Sequence, residues 1–231
     1  MPAYPSHIAL PVLAIGDVHG MADDLARALA EAEAHDAFPI LLGDLVDKGP
    51  DSVAVLRIVV PRLAAGTLAL VRGNHDERLL KSLTRPDGKK TKVLLDLLAA
   101  PDGAALAALT ARMLAAAPYW ISLPGYLLVH GAFHPEMLTF GSGGAGPGVP
   151  GKLRALALYG ETDGTFTTEG FPVRTYRWVD HIPEGLTVVA GHDTRQMHEP
   201  LVVENASGGR AVFLDTGAAK GGRLSTWAIR A

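Results

Sequence analysis

Apolar and polar positions along this chain switch repeatedly between a period of two and a period near 3.6. Val12 to Ile15 is an apolar run that stops at Gly16-Asp17. Ala22 to Ala34 sets Leu25 and Leu29 four apart among charges, which predicts an amphipathic helix. Phe38 to Leu42 reads as the next strand, and Ser52 to Leu63 as a helix that Asp51 can cap, with Pro61 near its end. Thr67 to Val71 is a third strand and runs into Arg72-Gly73-Asn74-His75-Asp76. Three strand-then-helix units of about 30 residues each predict βαβ crossovers in a partly parallel sheet.

From Glu77 to Ala117 the pattern is helical and rich in alanine and leucine, broken at Pro86-Asp87-Gly88 and Pro101-Asp102-Gly103. It reads as a helical insertion over the site or one flank of it. Tyr119 to Leu123 and Tyr126 to Val129 form a hairpin around Pro124-Gly125 that ends on His130. Gly141 to Gly151 reads as a flexible connector, with a mobile lid as the alternative. Thr187 to Ala190 is a strand ending on Gly191-His192, and Leu201 to Glu204, Ala211 to Leu214 and Leu224 to Ile229 read as an antiparallel run. Neither a repeat nor a second-domain boundary is visible. The expectation is one domain over residues 1–231, with the insertion at about 77–117 and the loop at about 141–151.

Composition narrows the function classes. With 48% hydrophobic and 19% charged residues, the chain can build a sizeable core. Its net charge of -3 provides no global basic field, which argues against a broad nucleic-acid-binding surface but not against a nucleotide or a nucleic-acid end as substrate. The absence of cysteine excludes disulfides, thiolate-zinc sites and cysteine nucleophiles. The first residues lack a charged n-region and read as a leader into a strand, not a signal peptide. No stretch approaches the ~20 apolar residues that span a bilayer. A cytoplasmic protein without a membrane partner is expected; the oligomeric state stays open.

The chemistry sits where the apolar runs stop. Five strand ends present Asp17 and His19, Asp44, Asn74 and His75, His130, and His192. In open α/β sheets ligands bind at the carboxyl ends of strands, so these residues can converge on one edge. The stretch Leu41 to Pro50, LLGDLVDKGP, ends a buried strand on two acids, Asp44 and Asp47, a costly placement unless a cation offsets it. Carboxylate, imidazole and amide oxygen without sulfur suit manganese, iron or zinc more than calcium. Six ligands exceed a minimal catalytic site and suit two ions about 3.5–4 Å apart that share a carboxylate, an arrangement for in-line attack on phosphorus. A hydroxide bridging the ions, its pKa lowered by them, would be the nucleophile.

The motifs GDVHG (Gly16–Gly20), GDLVDKG (Gly43–Gly49), RGNHD (Arg72–Asp76), HGAF (His130–Phe133) and GHDT (Gly191–Thr194), in this order, resemble those of the calcineurin-like metallophosphoesterases. The match is to the branch that holds the phosphoprotein phosphatases and the diadenosine tetraphosphate hydrolases, and the tail LDTGAAKGGRLS (Leu214–Ser225) resembles that branch's closing segment. The resemblance implies an α/β fold: a β-sandwich flanked by helices in four layers, α/β/β/α, with a helical insertion. It implies that Asp17, His19 and Asp44 hold one divalent metal ion and that Asp44, Asn74, His130 and His192 hold the other. Manganese is the first choice, with iron or zinc as alternatives. It also implies that His75 is the general acid for the leaving oxygen and that Asp47 orients it. Lys48 stands where the family usually has arginine and would meet the phosphate without a bidentate fork. Arg72, Arg174 and Arg195 are candidates for the missing guanidinium, each against a surface or structural role; Arg72 and Arg195 adjoin ligand motifs.

Tyr159 to Arg195 also resembles the phosphatase module of bacterial polynucleotide kinase-phosphatase, although the chain has no Walker loop. Glu161 and Asp163 are balanced between turn polarity and substrate contact. His134 reads as a turn residue, and His7, His35, His181 and His198 as solvated. Trp120, Trp178 and Trp227 read as core, with Trp178 the one to watch. The leading function is a dinuclear-metal hydrolase of small phosphate esters or nucleotide ends. Alternatives are a bis(5′-nucleosyl)-tetraphosphatase, a Ser/Thr protein phosphatase and, from another class, a non-catalytic metal or phosphate-binding module.

Overall fold

The computed structural model describes residues 8–85, 90–140 and 148–230. The first seven residues of the expected connector at 141–151, the break at 86–89 and His7 lie outside them. The first half follows the predicted order: β1 (Val12–Ile15), α1 (Ala22–Ala34), β2 (Phe38–Leu41), α2 (Ser52–Ala65), β3 (Ala69–Leu70) and α3 (Asn74–Thr84). Then come α4 (Lys92–Ala99), α5 (Gly103–Ala116) and the hairpin of β4 (Trp120–Leu123) and β5 (Tyr126–Val129). The remainder comprises α6 (Gly151–Tyr159), β6 (Glu161–Phe166), β7 (Pro172–Thr175), β8 (Thr187–Ala190), β9 (Leu201–Glu204), β10 (Arg210–Phe213) and β11 (Thr226–Ile229).

The strands form a sheet in the order β11-β1-β2-β3, a second in the order β4-β5-β8-β10-β9, and a separate β6-β7 ribbon. β1, β2 and β3 are mutually parallel, as the βαβ reading requires. Strand periodicity explains the layers. Val12, Ala14, Ile40 and Leu42 of the first sheet pack against Ile121, Leu128, Val189 and Val212 of the second, forming the sandwich interior. Ile15, Leu41 and Leu70 point the other way and meet Leu25, Val55, Leu56 and Leu114 of the helices. On the outer face of the second sheet, Leu127, Val129, Val188 and Phe213 meet Leu153 and Ala157 of α6. The result is the expected α/β/β/α order. Each fully buried Val or Leu contributes roughly 1.5–3 kcal/mol relative to exposure.

Local signals set the ends of the elements. Asp51 accepts the Ala54 N–H at 2.8 Å and caps α2. That helix runs two residues past Leu63 and stops at Gly66, whose φ of +71° is a left-handed turn without Cβ strain. Three expectations are corrected. β3 is two residues long instead of five. The C-terminal strands are not one antiparallel run: β10 pairs antiparallel with β9 and parallel with β8, while β11 crosses to the first sheet, antiparallel to β1. That crossing buries Ile229 in the sandwich interior. Finally, α6 begins at Gly151, inside the expected connector.

Candidate metal centre and cleft

The turns after β1, β2, β3, β5 and β8 bring the predicted residues to one edge of the sandwich. Two sets of potential ligands form there, His19 with Asp44 and His75, and Asp44 with His130 and His192, the offered atoms of each set lying within 4.8 Å of one another. Asp44 belongs to both. His19 Nε2 lies 3.4 Å from Asp44 Oδ2 and 3.9 Å from Asp17 Oδ2, while His130 Nε2 lies 3.4 Å from Asp44 Oδ1 and 3.0 Å from Asn74 Oδ1. Asp17 is positioned by the His192 N–H, 3.0 Å from Oδ1 and 3.1 Å from Oδ2.

The imidazoles show what these atoms can hold. His19 Nδ1–H donates to the Val46 carbonyl (3.0 Å), His130 Nδ1–H to the Leu42 carbonyl (2.8 Å), and His192 Nε2–H to the Tyr159 carbonyl (3.1 Å). Each bond fixes a tautomer and turns the other nitrogen, with its lone pair, inward. His130 Nε2 and His192 Nδ1 thus face each other at 3.2 Å as two acceptors. Burial, first of all, pushes His19 down to about 4 and His192 well below the usual histidine range, so both are neutral at pH 7. Burial and the neighbouring carboxylates of Asp215 and Asp44 push Asp17 well up. For Asp44, burial acts upward, but His130, His75 and His19 outweigh it and hold the carboxyl low. Neutral imidazoles and carboxylates that converge as acceptors fit a divalent cation of the manganese, iron or zinc class.

Backbone geometry at the same edge is strained. Of the seven non-glycine residues with positive φ among the described residues, five are His19, Asp44, Asp47, Lys48 and His192. Such conformations cost of order 1–3 kcal/mol each and persist where the surroundings over-determine them. Glycine is required where the loops touch: a Cβ on Gly73 would lie 2.3 Å from the Asp44 nitrogen, and one on Gly191 would lie 2.3 Å from Asp17 Oδ1.

His75 is engaged differently. Its Nδ1–H donates to Asp47 Oδ2 at 2.6 Å, leaving Nε2 to face the site, 3.8 Å from Asp44 Oδ2. Lys48 reaches in from the cleft, its ammonium donating to His19 Nε2 at 2.7 Å. The cleft has a volume of about 690 Å³ and runs from Asp44, Asn74, His75 and His192 to the β6-β7 ribbon, with Arg174, Arg195 and Lys220 along it.

Arg72 is not brought to the cleft, which corrects the phosphate-binding expectation. Its guanidinium is buried and donates to Glu77 (3.0 Å), to the Tyr119 hydroxyl (3.2 Å) and to the carbonyls of Ala115 (3.0 Å) and Ala117 (2.9 Å). It ties α3 to the end of α5. Arg72→Ala should cost roughly 3–5 kcal/mol by leaving buried partners without a donor, read as a lower urea midpoint. Arg72→Lys, if folded, should leave KM unchanged; a raised KM would restore the phosphate-binding role.

Two residues at this edge were given no role by the sequence, although Asp76 closes the Arg72–Asp76 motif. Asp76, fully buried, accepts N–H groups from Asp44 (2.9 Å), Leu45 (3.0 Å) and Gly73 (2.9 Å), tying the β2 loop to the start of α3. Arg78 pairs with Asp47 at 2.5 Å and lies 3.0 Å from His75 Nδ1. Glu161 accepts from Thr175 and the Trp178 N–H, Asp163 accepts from Thr165, and neither lines the cleft. Trp178 is core, packed against Phe213, and His134 caps a short turn. His35, His181 and His198 are exposed, as expected.

The sequence profile of the calcineurin-like phosphoesterases matches residues 10–201. The chain belongs to that family. The family is one of phosphoesterases, and membership implies divalent metal ions. A symmetrical bis(5′-nucleosyl)-tetraphosphatase of Ralstonia nicotianae is 36% identical over 133 residues, covering 57% of this phosphoesterase and 45% of the relative. An asymmetrical one of Halalkalibacterium halodurans is 27% identical over 91% of this chain and 87% of its own. The phosphoesterase thus spans less than half of the first relative and most of the second. A crystal structure assigned provisionally to a diadenosine tetraphosphatase superposes with a TM-score of 0.58 at 26% identity, covering 95% of this chain and 89% of that one. A serine/threonine phosphatase from Saccharomyces cerevisiae (TM-score 0.55, 15% identity, covering 98% and 82%) shares the fold. No helix among the described residues is long and apolar enough to cross a membrane.

Proposed function

We propose that this phosphoesterase hydrolyses the phosphate esters of nucleotides with two divalent ions, manganese first among them. Asp17, His19 and Asp44 would hold one ion, and Asp44, Asn74, His130 and His192 the other. The observation that carries this is the single carboxylate of Asp44, shared by two acceptor sets whose imidazoles are turned inward by backbone carbonyls. When bound, such ions supply Lewis-acid polarisation of the phosphoryl group and acidify a water.

The chain's own residues divide the rest of the work. His75 would hold the proton for the leaving oxygen at Nε2, because Nδ1 is committed to Asp47. Asp47 keeps the ring oriented, and its own carboxyl, pushed up by burial, is held down by the bonds from His75 and Arg78. Lys48 would meet the phosphate as a point charge, and Arg174, whose guanidinium donates to the His192 carbonyl at 3.1 Å, offers the fork that Lys48 lacks. Two packed sheets that share one interior support reading residues 1–231 as one working domain.

Nucleotides are favoured by the names of the similar proteins and by four cations along the cleft. Chelator-treated protein should lose hydrolysis of a chromogenic phosphate ester and regain it with manganese; inactivity with every divalent metal would overturn the reading. Arg78→Ala should lower kcat on alkyl phosphates by about tenfold, roughly 1.4 kcal/mol, by loosening Asp47, with a smaller loss on 4-nitrophenyl phosphate. Equal losses on both esters would remove Arg78 from the donor's support.

A further inference from the structure

The turn that carries His192 reaches both ligand sets. Its imidazole offers Nδ1 beside Asp44 and His130, while its backbone N–H holds the two oxygens of Asp17, at 3.0 and 3.1 Å. The turn is also strained, with a φ of +65° at His192. Such a conformation persists only where its surroundings hold it. From the cleft side Arg174 donates to the His192 carbonyl at 3.1 Å, but that arginine side chain is 35% exposed. A second hold on the turn comes from a buried group in the C-terminal tail.

Asp215, just past β10, is a buried carboxylate that belongs to neither ligand set. Leu214 brings it to this edge. The Leu214 N–H donates to the Ala190 carbonyl at 2.7 Å, and a Cβ on Gly16 would lie 2.5 Å from the Leu214 oxygen. Asp215 therefore follows on alongside the turns after β1 and β8. Both of its oxygens are taken by neutral donors, Oδ1 by the Gly217 N–H at 2.9 Å and Oδ2 by the Thr194 hydroxyl at 2.6 Å. Thr194 has one proton to give, and Lys220 sets its direction. The Lys220 ammonium donates to Thr194 Oγ1 at 3.1 Å, which leaves the hydroxyl proton for the carboxylate. A hydrogen bond to a carboxylate is stronger than one between neutral groups. The anchor itself is firm. The N–H groups of Lys220 and Gly222 both donate to the Gly217 carbonyl, at 2.8 and 2.9 Å, and a Cβ on Gly217 would lie 2.7 Å from Met197 Sδ.

Resting on the proposed two-ion centre, we infer that Thr194 and Asp215 are a pair of positioning residues whose hydrogen bond fixes the His192 turn and through it couples the two ligand sets. Asp44 links the sets through a shared side chain. The Thr194–Asp215 clamp links them a second time through the backbone, because the segment it holds orients Asp17 on one side and His192 on the other.

The test is manganese binding to the full chain, measured by calorimetry after chelator treatment and dialysis, for wild type, Thr194→Val, Thr194→Ser and Asp215→Asn. Valine keeps the shape of Thr194 without its hydroxyl, and serine keeps the hydroxyl. Asparagine offers one acceptor oxygen where two donors need an acceptor each. Thr194 is half-buried, so its variants should fold, which an unchanged far-UV circular dichroism spectrum verifies. Thr194→Val and Asp215→Asn are each expected to weaken the binding of both ions by about tenfold, ~1.4 kcal/mol, with Thr194→Ser restoring most of the affinity. Wild-type affinity in Thr194→Val or in Asp215→Asn would overturn the clamp. Equal weakening by valine and serine would overturn the hydrogen bond as its cause, and weakening of one ion alone would overturn the coupling. Wild type that takes up no manganese would instead bring down the two-ion reading itself.

Discussion

Asp44→Ala is expected to lose both metal ions together and to lower kcat by about three orders of magnitude, roughly 4 kcal/mol of transition-state stabilisation. The reason is geometric. Asp44 Oδ2 faces His19 at 3.4 Å and Asp44 Oδ1 faces His130 at 3.4 Å, so one residue serves both acceptor sets. Losing any other ligand leaves one set whole; losing Asp44 leaves neither. Asp44→Asn is the companion variant, since it keeps an oxygen to accept the His75 N–H, which Asp44 Oδ1 now takes at 2.9 Å. Metal content by mass spectrometry, read beside kcat at saturating manganese, decides the matter. Two ions retained per chain, with turnover within tenfold of wild type, would rule out a bridging role.

His75→Ala should keep its metal and still be slow, by about 10²- to 10⁴-fold on alkyl phosphates, the range expected for a lost general acid. The loss should shrink as the leaving group becomes a better anion, and be least for 2,4-dinitrophenyl phosphate, which departs without a proton. This dependence separates a proton donor from a ligand. His75 lies close enough to Asp44 to be counted among possible ligands, but its Nδ1 bond to Asp47 is the shortest contact it makes. A uniform loss across leaving groups, with metal content lowered, would place His75 among the ligands instead.

Much of this centre was legible in the sequence because strand ends are. An apolar run that halts on Gly-Asp or on Gly-Asn-His announces both a strand and what it presents, and parallel pairing of β1, β2 and β3 does the converging. Arg72 misled for the same reason that Asp47 did not. Both sit beside ligand motifs, but adjacency along the chain does not say which way a side chain turns, and Arg72 turns to Glu77 and two helix-end carbonyls. Asp76 was seen only as the end of the Arg72–Asp76 motif, and its role was hidden because its partners are backbone N–H groups, which almost every residue has. The β6-β7 ribbon was missed because β6 is exposed along nearly its whole length, so no apolar alternation marks it, yet it walls the cleft. α6 was hidden behind a Gly- and Pro-rich approach.

The left-handed residues at the centre have a thermodynamic corollary. Five side chains that sterics would rather keep elsewhere, His19, Asp44, Asp47, Lys48 and His192, all stand at the functional edge. A domain of this kind is stable by only some 5–15 kcal/mol in total. Conformational strain on that scale, joined to buried carboxylates that repel one another, is expected to make this edge open more readily without divalent cations than with them, read as faster amide exchange in the turns after β1 and β2 of chelator-treated protein. Glycine at any of these five positions would relieve the backbone and remove a side chain from the proposed centre in one step. Stability has to be sought at other positions, in the helices and the outer faces of the sheets.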